Sequence, residues 1–573
     1  MELLLIPTAL FAAFLRFFSF FDFFDTMGWS SATNWATPAK LAGLLMLPLL
    51  PVQASIEDVG LLPAPPMGFN NWARFMCDLN ETLFTETAKS MVSRGLLDAG
   101  YNRLNLDDCW MSHDRAADGS LQWNESLFPN GIPWLADFAH QHGFHLGIYE
   151  DSGNATCGGY PGSYGYEDQD AETFASWGID YLKLDGCNVY PEDGRSDVEE
   201  YNFRYRQWHN ILSDMEEPLI FSDSAPAYFC TDPVQWAEVM DTVPYYSELA
   251  RHSDDIITYT EKGNPWDSIM TNYHFNTRVV RYQMAGYYND PDFLIPDHPG
   301  LSMDEKKSHF ALWASSGAPL IISAYIPDLS DEEIEFLSNK DLIAVDQDPM
   351  AEQAALVSRD SQFDVLSRSL VNGDRLVTVL NTGKNTASTE ISLERLGLDS
   401  SCQYRARDLW TGAVSTVQKS IDVTLDSHAT SVHRITPPRG CTSVTPTGMV
   451  FDTTSGLCLT AGKTTSFETC KGSDSQTWRI SGTGTKLAIS PLSDVKKCLA
   501  ASASGSGVEL VPCGSGSSAT WTYSMTGHLQ NSRGGCLTDS AGAAKMGTCN
   551  QDRADQIIGL PSGVRLSDLG SPQ

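Results

Sequence analysis

The sequence has 573 residues, 42% of them apolar, enough chain for two to four domains with a real core. Its formal net charge of -34 argues against nucleic acid or an anionic membrane as partner, and suits a neutral substrate in mildly acidic surroundings. The 13 scattered cysteines show no CxxC or HExxH spacing, so they read as the disulfide framework of a secreted chain, with no metal expected. Two apolar stretches come first. Residues 42–52 follow Lys40 and lead into Val52-Gln53-Ala54-Ser55, a pattern that predicts a signal peptide cut after Ala54. Residues 1–24 are apolar but interrupted by Arg16 and Asp22, which would also fit a signal anchor. A start at Met27 gives a signal of ordinary length, so residues 1–54 are expected to be an N-terminal extension and signal peptide. The sequons at Asn80, Asn124 and Asn154 are candidate glycosylation sites on the same secretory route.

From 55 to 350, short apolar runs alternate with helical patterns, which predicts an α/β domain folded as a closed (β/α)8 TIM barrel. Strands are expected at 66–72, 102–108, 145–151, 181–185, 219–222, 239–241, 286–288 and 320–323. The fourth is the most informative: Tyr181-Leu182-Lys183-Leu184-Asp185 alternates and then stops on a carboxylate before Gly186. Strands two and three also end in acids, Asp107-Asp108 and Glu150-Asp151, so carboxylates converge on one mouth of the barrel. N-capping by each Asp explains one such acid but not a doubled Asp followed by Cys109-Trp110. The aromatics Trp72, Trp110 and Tyr149 are expected at that mouth, where ring faces and carboxylates together suit a sugar. Paired carboxylates that recognise a neutral polyol point to glycoside hydrolysis.

The segments 64–72 and 106–110 resemble the opening of the family 27 glycoside hydrolases, the α-galactosidases or melibiases. Gly147 to Asp151 with Cys157, residues 160–163 and the strand Tyr181 to Cys187 are similar to the same family, and residues 224–325 to its fungal secreted, α-galactosidase A type. The resemblance implies that Asp185 is the nucleophile. It implies that Asp255, in Arg251-His252-Ser253-Asp254-Asp255-Ile256, is the proton donor, with Arg251 beside the substrate and Asp254 a rival for the acid role. Asp107, Asp108 and Lys183 match positions that hold sugar hydroxyls, and Trp72 and Tyr149 match wall positions. The resemblance also implies the disulfides Cys77–Cys109 and Cys157–Cys187. Near the fifth strand, Ser224 and Ala227 stand where the best-known animal α-galactosidases carry a Glu and a Leu. Small residues there resemble the α-N-acetylgalactosaminidase solution; Tyr228-Phe229-Cys230-Thr231 is the loop expected to refill the space, which places Tyr228 among the substrate-binding candidates. No cofactor is implied. The expected dyad has an acidic optimum, because two close carboxyls raise one another's pKa.

After the barrel, residues 351–441 alternate with period two, which predicts an antiparallel β-sandwich. Cys402 and Cys441 could pair across its end, leaving Cys230 as a buried free thiol. Residues 442–573 contain a repeat of about 40 residues: Cys458-Leu459 with Cys470, Cys498-Leu499 with Cys513 and Cys536-Leu537 with Cys549, with Gln476-Thr477-Trp478 and Ala519-Thr520-Trp521 after the first two. This resembles a ricin B-type β-trefoil lectin, with disulfides Cys458–Cys470, Cys498–Cys513 and Cys536–Cys549. That family's sugar-gripping Asp usually follows Cys-Leu, and here Thr460, Ala500 and Thr538 stand instead, so a structural role is the default. The sequence therefore predicts a secreted, retaining exo-α-galactosidase acting on α-galactoside oligosaccharides and polysaccharides such as galactomannans. The alternatives are the same chemistry on α-N-acetylgalactosamine, or a carbohydrate-binding lectin without activity.

Overall fold

The computed structural model describes residues 60–483 and 486–567, so the expected signal peptide and N-terminal extension lie outside the described residues. Eight strands form one parallel sheet: β1 Met67–Asn70, β2 Arg103–Asn105, β3 His145–Asp151, β4 Tyr181–Asp185, β5 Ile220–Asp223, β6 Leu249–Arg251, β7 Tyr288–Asp290 and β8 Leu320–Ile322. The sheet runs β7-β6-β5-β4-β3-β2-β1-β8. The remaining seam is closed just beyond β7, where Leu294 N–H donates to Ile321 O (2.8 Å) and Ser323 N–H donates to Leu294 O (2.8 Å). Helices cover the outside, as parallel strands require. Their ends are set by local chemistry; the helix Met303–Ser316, for example, starts on a reciprocal Ser302/Glu305 capping box.

The sixth and seventh strands lie elsewhere than expected. The sixth strand is not 239–241, because Val239 and Met240 end the helix Pro233–Met240. Asp232 caps that helix, Pro233 fits its first turn, and Trp236, Val239 and Met240 recur with helical spacing. The true strand, Leu249–Arg251, is only three residues long and carries too little alternation to read. The seventh lies two residues later than 286–288, at Tyr288–Asp290.

Behind the barrel, a six-stranded antiparallel sheet contains Ala355–Arg359, Phe363–Ser369, Arg375–Asn381, Thr430–Thr436, Tyr404–Asp408 and Val414–Val417, and the pair Ala387–Ser392/Ser420–Leu425 belongs to the same sandwich core. Cys402 pairs with Cys441. The C-terminal part contains three disulfide-closed hairpins, bridged by Cys458–Cys470, Cys498–Cys513 and Cys536–Cys549. The described residues belong to one compact unit. Arg281 Nε donates to Met525 O (2.7 Å) from barrel to C-terminal part, Arg395 pairs with Asp474 (2.8 Å) and Ser562 Oγ donates to Glu352 Oε2 (2.8 Å). Among the described residues no helix is long and apolar enough to cross a membrane. Asn80 and Asn154 are exposed; Asn124 is half-buried, its Oδ1 accepting from the Ser126 hydroxyl (2.6 Å).

Candidate active site

The parallel register places the site. Between β3 and β4, Tyr149 pairs with Lys183 and Asp151 with Asp185, so all four side chains share the inner face. The tips open into a cavity of about 430 Å³ lined by Trp72, Asp107, Asp108, Tyr149, Lys183, Asp185, Ser224, Ala227, Tyr228, Arg251, Asp254 and Asp255. Asp185, Asp255 and each substrate-binding position that the resemblance implied thus line one pocket, while Trp110 does not.

On its floor, Lys183 Nζ donates to Asp107 Oδ2 (2.6 Å), which also accepts from Asn70 Nδ2 (2.8 Å). Burial opposes the Lys183 charge, but Asp107 and Asp185 outweigh it and raise the ammonium pKa. The ammonium also lies 5.2 Å from the Tyr149 ring centre and 5.4 Å from that of Phe293. Asp108 is fixed by backbone donors, Cys109 N–H (2.6 Å) and Gly158 N–H (2.7 Å). Gly158 is needed for that approach, since a Cβ there would meet Asp108 Oδ2 at 2.9 Å. The disulfides Cys77–Cys109 and Cys157–Cys187 tie these loops down beside the strand tips.

Asp185 has two differentiated oxygens. Oδ1 accepts from Gly186 N–H (3.0 Å) and from the Tyr228 hydroxyl. Oδ2 meets the Cys157 sulfur at 3.5 Å, and a disulfide sulfur has no hydrogen to give. Oδ2 therefore has no hydrogen-bond donor among the described residues. Across the pocket, Arg251 Nη2 donates to Asp255 Oδ1 (2.9 Å) and also pairs with Asp292 Oδ2 (3.1 Å). Asp254 takes a different partner, the Cys230 thiol, which donates to its Oδ1 (3.3 Å).

The two carboxyls are tuned in opposite directions. Burial raises the Asp185 pKa, against the opposing pull of Lys183 and the Tyr228 hydrogen bond, and Asp255 adds to the rise. At Asp255 the pocket walls also disfavour charge, but Arg251 and Lys183 outweigh them and lower its pKa. Enclosed though it is, the Asp255 side chain is still 68% accessible to solvent, so it is the wetter member of the pair.

Trp110 is a correction. It is fully buried, its Nε1 donating to Tyr149 O (2.9 Å) and its ring packing on Phe174 and Trp177, so it supports the wall from behind and does not face the mouth. Glu150 also points away, toward Arg115 and Asp170, as strand alternation requires. Asp151, one of the expected strand-tip acids, accepts from Gly153 N–H (2.7 Å) and Cys187 N–H (2.8 Å). Asp292, which the sequence reading does not single out, accepts from Ile256 N–H (2.7 Å). The signal for Asp290 and Asp292 was available, because Asn289-Asp290-Pro291-Asp292 is another acidic strand tip.

Three segments of the chain match known families: residues 64–348 match "Alpha galactosidase A", residues 360–435 its C-terminal β-sandwich domain, and residues 446–557 the ricin-type β-trefoil lectin domain. Alpha-galactosidase A of Aspergillus niger is 59% identical over 524 residues, covering 90% of this chain and 95% of that protein. Among solved structures, α-galactosidase I from Mortierella vinacea aligns with TM-score 0.60 and 28% identity over 66% of this chain and 98% of its own. The Saccharomyces cerevisiae α-galactosidase with raffinose aligns with TM-score 0.58 and 27% identity, over 66% and 99%. With a carboxylate-lined barrel mouth, a sandwich and a trefoil in the same order, and that identity along nine-tenths of its length, the chain belongs to the α-galactosidase A family of glycoside hydrolases.

Proposed function

We propose that this chain is a secreted, retaining exo-α-galactosidase that removes terminal α-linked galactose from oligosaccharides and from polysaccharides such as galactomannans. The observation that carries the reading is the pocket itself, where Asp185 at the tip of β4 lies with Asp255 and the Lys183–Asp107 pair in one cavity. Asp185 Oδ2 attacks the anomeric carbon as the glycosidic C–O bond breaks and Asp255 gives its proton to the leaving oxygen. Water then attacks the same carbon, Asp255 takes a proton from it, and the bond to Asp185 breaks. The double displacement requires carboxyls about 5–5.5 Å apart. In the empty pocket Arg251 favours charge on Asp255; a bound sugar displaces water from that wetter carboxyl and moves the shared proton toward it. Asp107, Asp108 and Lys183 take the sugar hydroxyls, and Trp72 and Tyr149 form walls. Six disulfides and the expected signal peptide support secretion, and Asn80, Asn124 and Asn154 remain candidate glycosylation sites. The domains run 55–350, 351–441 and 442–573.

The second reading, α-N-acetylgalactosaminidase, is favoured by one observation: Ser224 and Ala227 are both small where they line the pocket. Parallel hydrolysis of an aryl α-galactoside and the matching α-N-acetylgalactosaminide decides between them. Galactoside turnover that Asp185→Asn lowers by a factor of 10⁴ or more is the expected result. Preference for the acetamido sugar would move the chain to the second reading.

A further inference from the structure

Ser224 and Cys230 flank the 3₁₀ turn Ala225–Phe229. Side chains three apart eclipse in such a turn. Ala227 N–H donates to Ser224 O (3.2 Å) and Cys230 N–H to Ala227 O (3.5 Å), which carries that repeat through Ser224, Ala227 and Cys230. These three small side chains form one column, and all three line the pocket. Ser224 Oγ is buried and has no hydrogen-bond partner among the described residues. Tyr228, one step off the column, turns to Asp185 instead.

The column ends on a polar group. Cys230 is buried, and its thiol donates to Asp254 Oδ1 at 3.3 Å. Burial first, and the Asp254 carboxylate second, push the thiol up to about 12, so the S–H hydrogen stays in place as a donor. Asp254 is exposed into the same cavity, and Asp255, next in the chain, is held separately by Arg251. Nothing in the acid–base chemistry uses the Cys230–Asp254 pair.

We propose that Cys230 and Asp254 form the wall that reads the substituent on C2 of the sugar. Asp254 accepts a hydrogen bond from a 2-hydroxyl, and Cys230 holds that carboxylate across the room left open by Ser224 and Ala227. This rests on the α-galactosidase reading and deepens it. A hydroxyl meets the carboxylate as a charge-assisted donor. An acetamido group brings three more heavy atoms into the same room, and its carbonyl oxygen faces a carboxylate. Specificity for galactose is thus obtained from a thiol-braced Asp where a bulky side chain would otherwise exclude the acetamide. Asp254 is a specificity residue and Cys230 positions it.

The test measures kcat and KM of the full chain and its variants on the aryl α-galactoside, the α-N-acetylgalactosaminide and the 2-deoxy-α-galactoside. Asp254→Ala is expected to lower galactoside kcat/KM about tenfold to a hundredfold, chiefly through KM. It is expected to raise the acetamido-to-galacto ratio at least tenfold, and to add no comparable loss on the 2-deoxy sugar. Cys230→Ala moves the ratio in the same direction by less, and Cys230→Ser, which keeps a donor, restores it. Asp254→Asn keeps the side-chain volume and gives a KM effect even where Asp254→Ala disturbs folding. Unchanged KM and ratio in both Asp254 variants, with only the thermal midpoint lowered, would overturn the proposal, since the pair would then be merely structural. A collapse of kcat on all three sugars in Asp254→Asn would also overturn it, making Asp254 the proton donor. Wild-type preference for the acetamido sugar would instead overturn the galactose reading itself, and is seen before any variant is made.

Discussion

Tyr228 separates two jobs on one carboxylate. Its hydroxyl and the Gly186 N–H both go to Asp185 Oδ1, so charge is stabilised there and, in the proposed mechanism, Oδ2 is left to attack. The hydrogen bond lowers the Asp185 pKa against the rise caused by burial. Tyr228→Phe removes the donor and keeps the ring, which packs on Tyr201 at 5.3 Å. The expected result is an acidic limb of the kcat/KM profile displaced to higher pH, with activity lowered about tenfold to a hundredfold. An unchanged limb would mean that Tyr228 serves only as wall. Asp185, Lys183, Asp107 and Asp108 were legible because a strand that stops on an acid is a pattern with a physical cause. Tyr228 as a donor to Asp185 was not, since 3₁₀ geometry decides which way it turns. The Cys230–Asp254 bond was equally invisible, because it joins residues 24 apart in the chain.

At the scale of elements, the barrel was legible wherever strands were long enough to alternate. β3 and β4 span seven and five residues and were read correctly, whereas β6 spans three and was misplaced onto a helix end. The C-terminal repeat has a third member that its pattern conceals: Gln556-Ile557-Ile558 takes the place of Gln476-Thr477-Trp478, with Ile in place of Trp. The structure also explains the residue after Cys-Leu. Gln476 Nε2 donates to Thr460 Oγ1 (2.9 Å) and Gln556 Nε2 to Thr538 Oγ1 (3.0 Å). In the middle repeat both partners are replaced together, by Ala519 and Ala500, which share one apolar cluster. Thr460 and Thr538 therefore hydrogen-bond inside the fold, which favours a structural role for the trefoil. Gln556 also accepts from Asn550 N–H (3.0 Å) and donates to Thr548 O (3.0 Å). Gln556→Ala should destabilise by about 2 kcal/mol or more in urea unfolding, by leaving buried polar groups unpaired. Adding Thr538→Ala, which copies the middle repeat, should cost little further; simple additivity of the two losses would show the pair to be uncoupled.

For the whole molecule, buried carboxyls make stability depend on pH. Burial raises Asp151 and Asp223 to about 8 and Glu248 to about 7. Folded values above the unfolded ones mean that the unfolded chain loses these protons first. Their contribution is thus fully present below about pH 4 and is lost as pH rises toward about 8. Asp180 has the opposite sign. Burial is outweighed by His145 and His140, which hold it at about 2, so its contribution exists above about pH 4 and disappears as pH falls toward 2. Self-repulsion from a net charge of -34 at neutral pH adds to the alkaline loss. The thermal midpoint should therefore be highest near pH 4–5 and fall toward pH 8; a midpoint still rising at pH 8 would contradict this. The same acidic range suits a dyad that must keep one proton. The central claim, that Asp185 and Asp255 perform a double displacement on an α-galactoside, is tested most directly by the anomer first released. Proton NMR of an aryl α-galactoside during its first minutes of hydrolysis should show α-galactose appearing before mutarotation. Initial release of β-galactose would contradict the account, because it requires water to attack directly and leaves Asp185 no role as nucleophile.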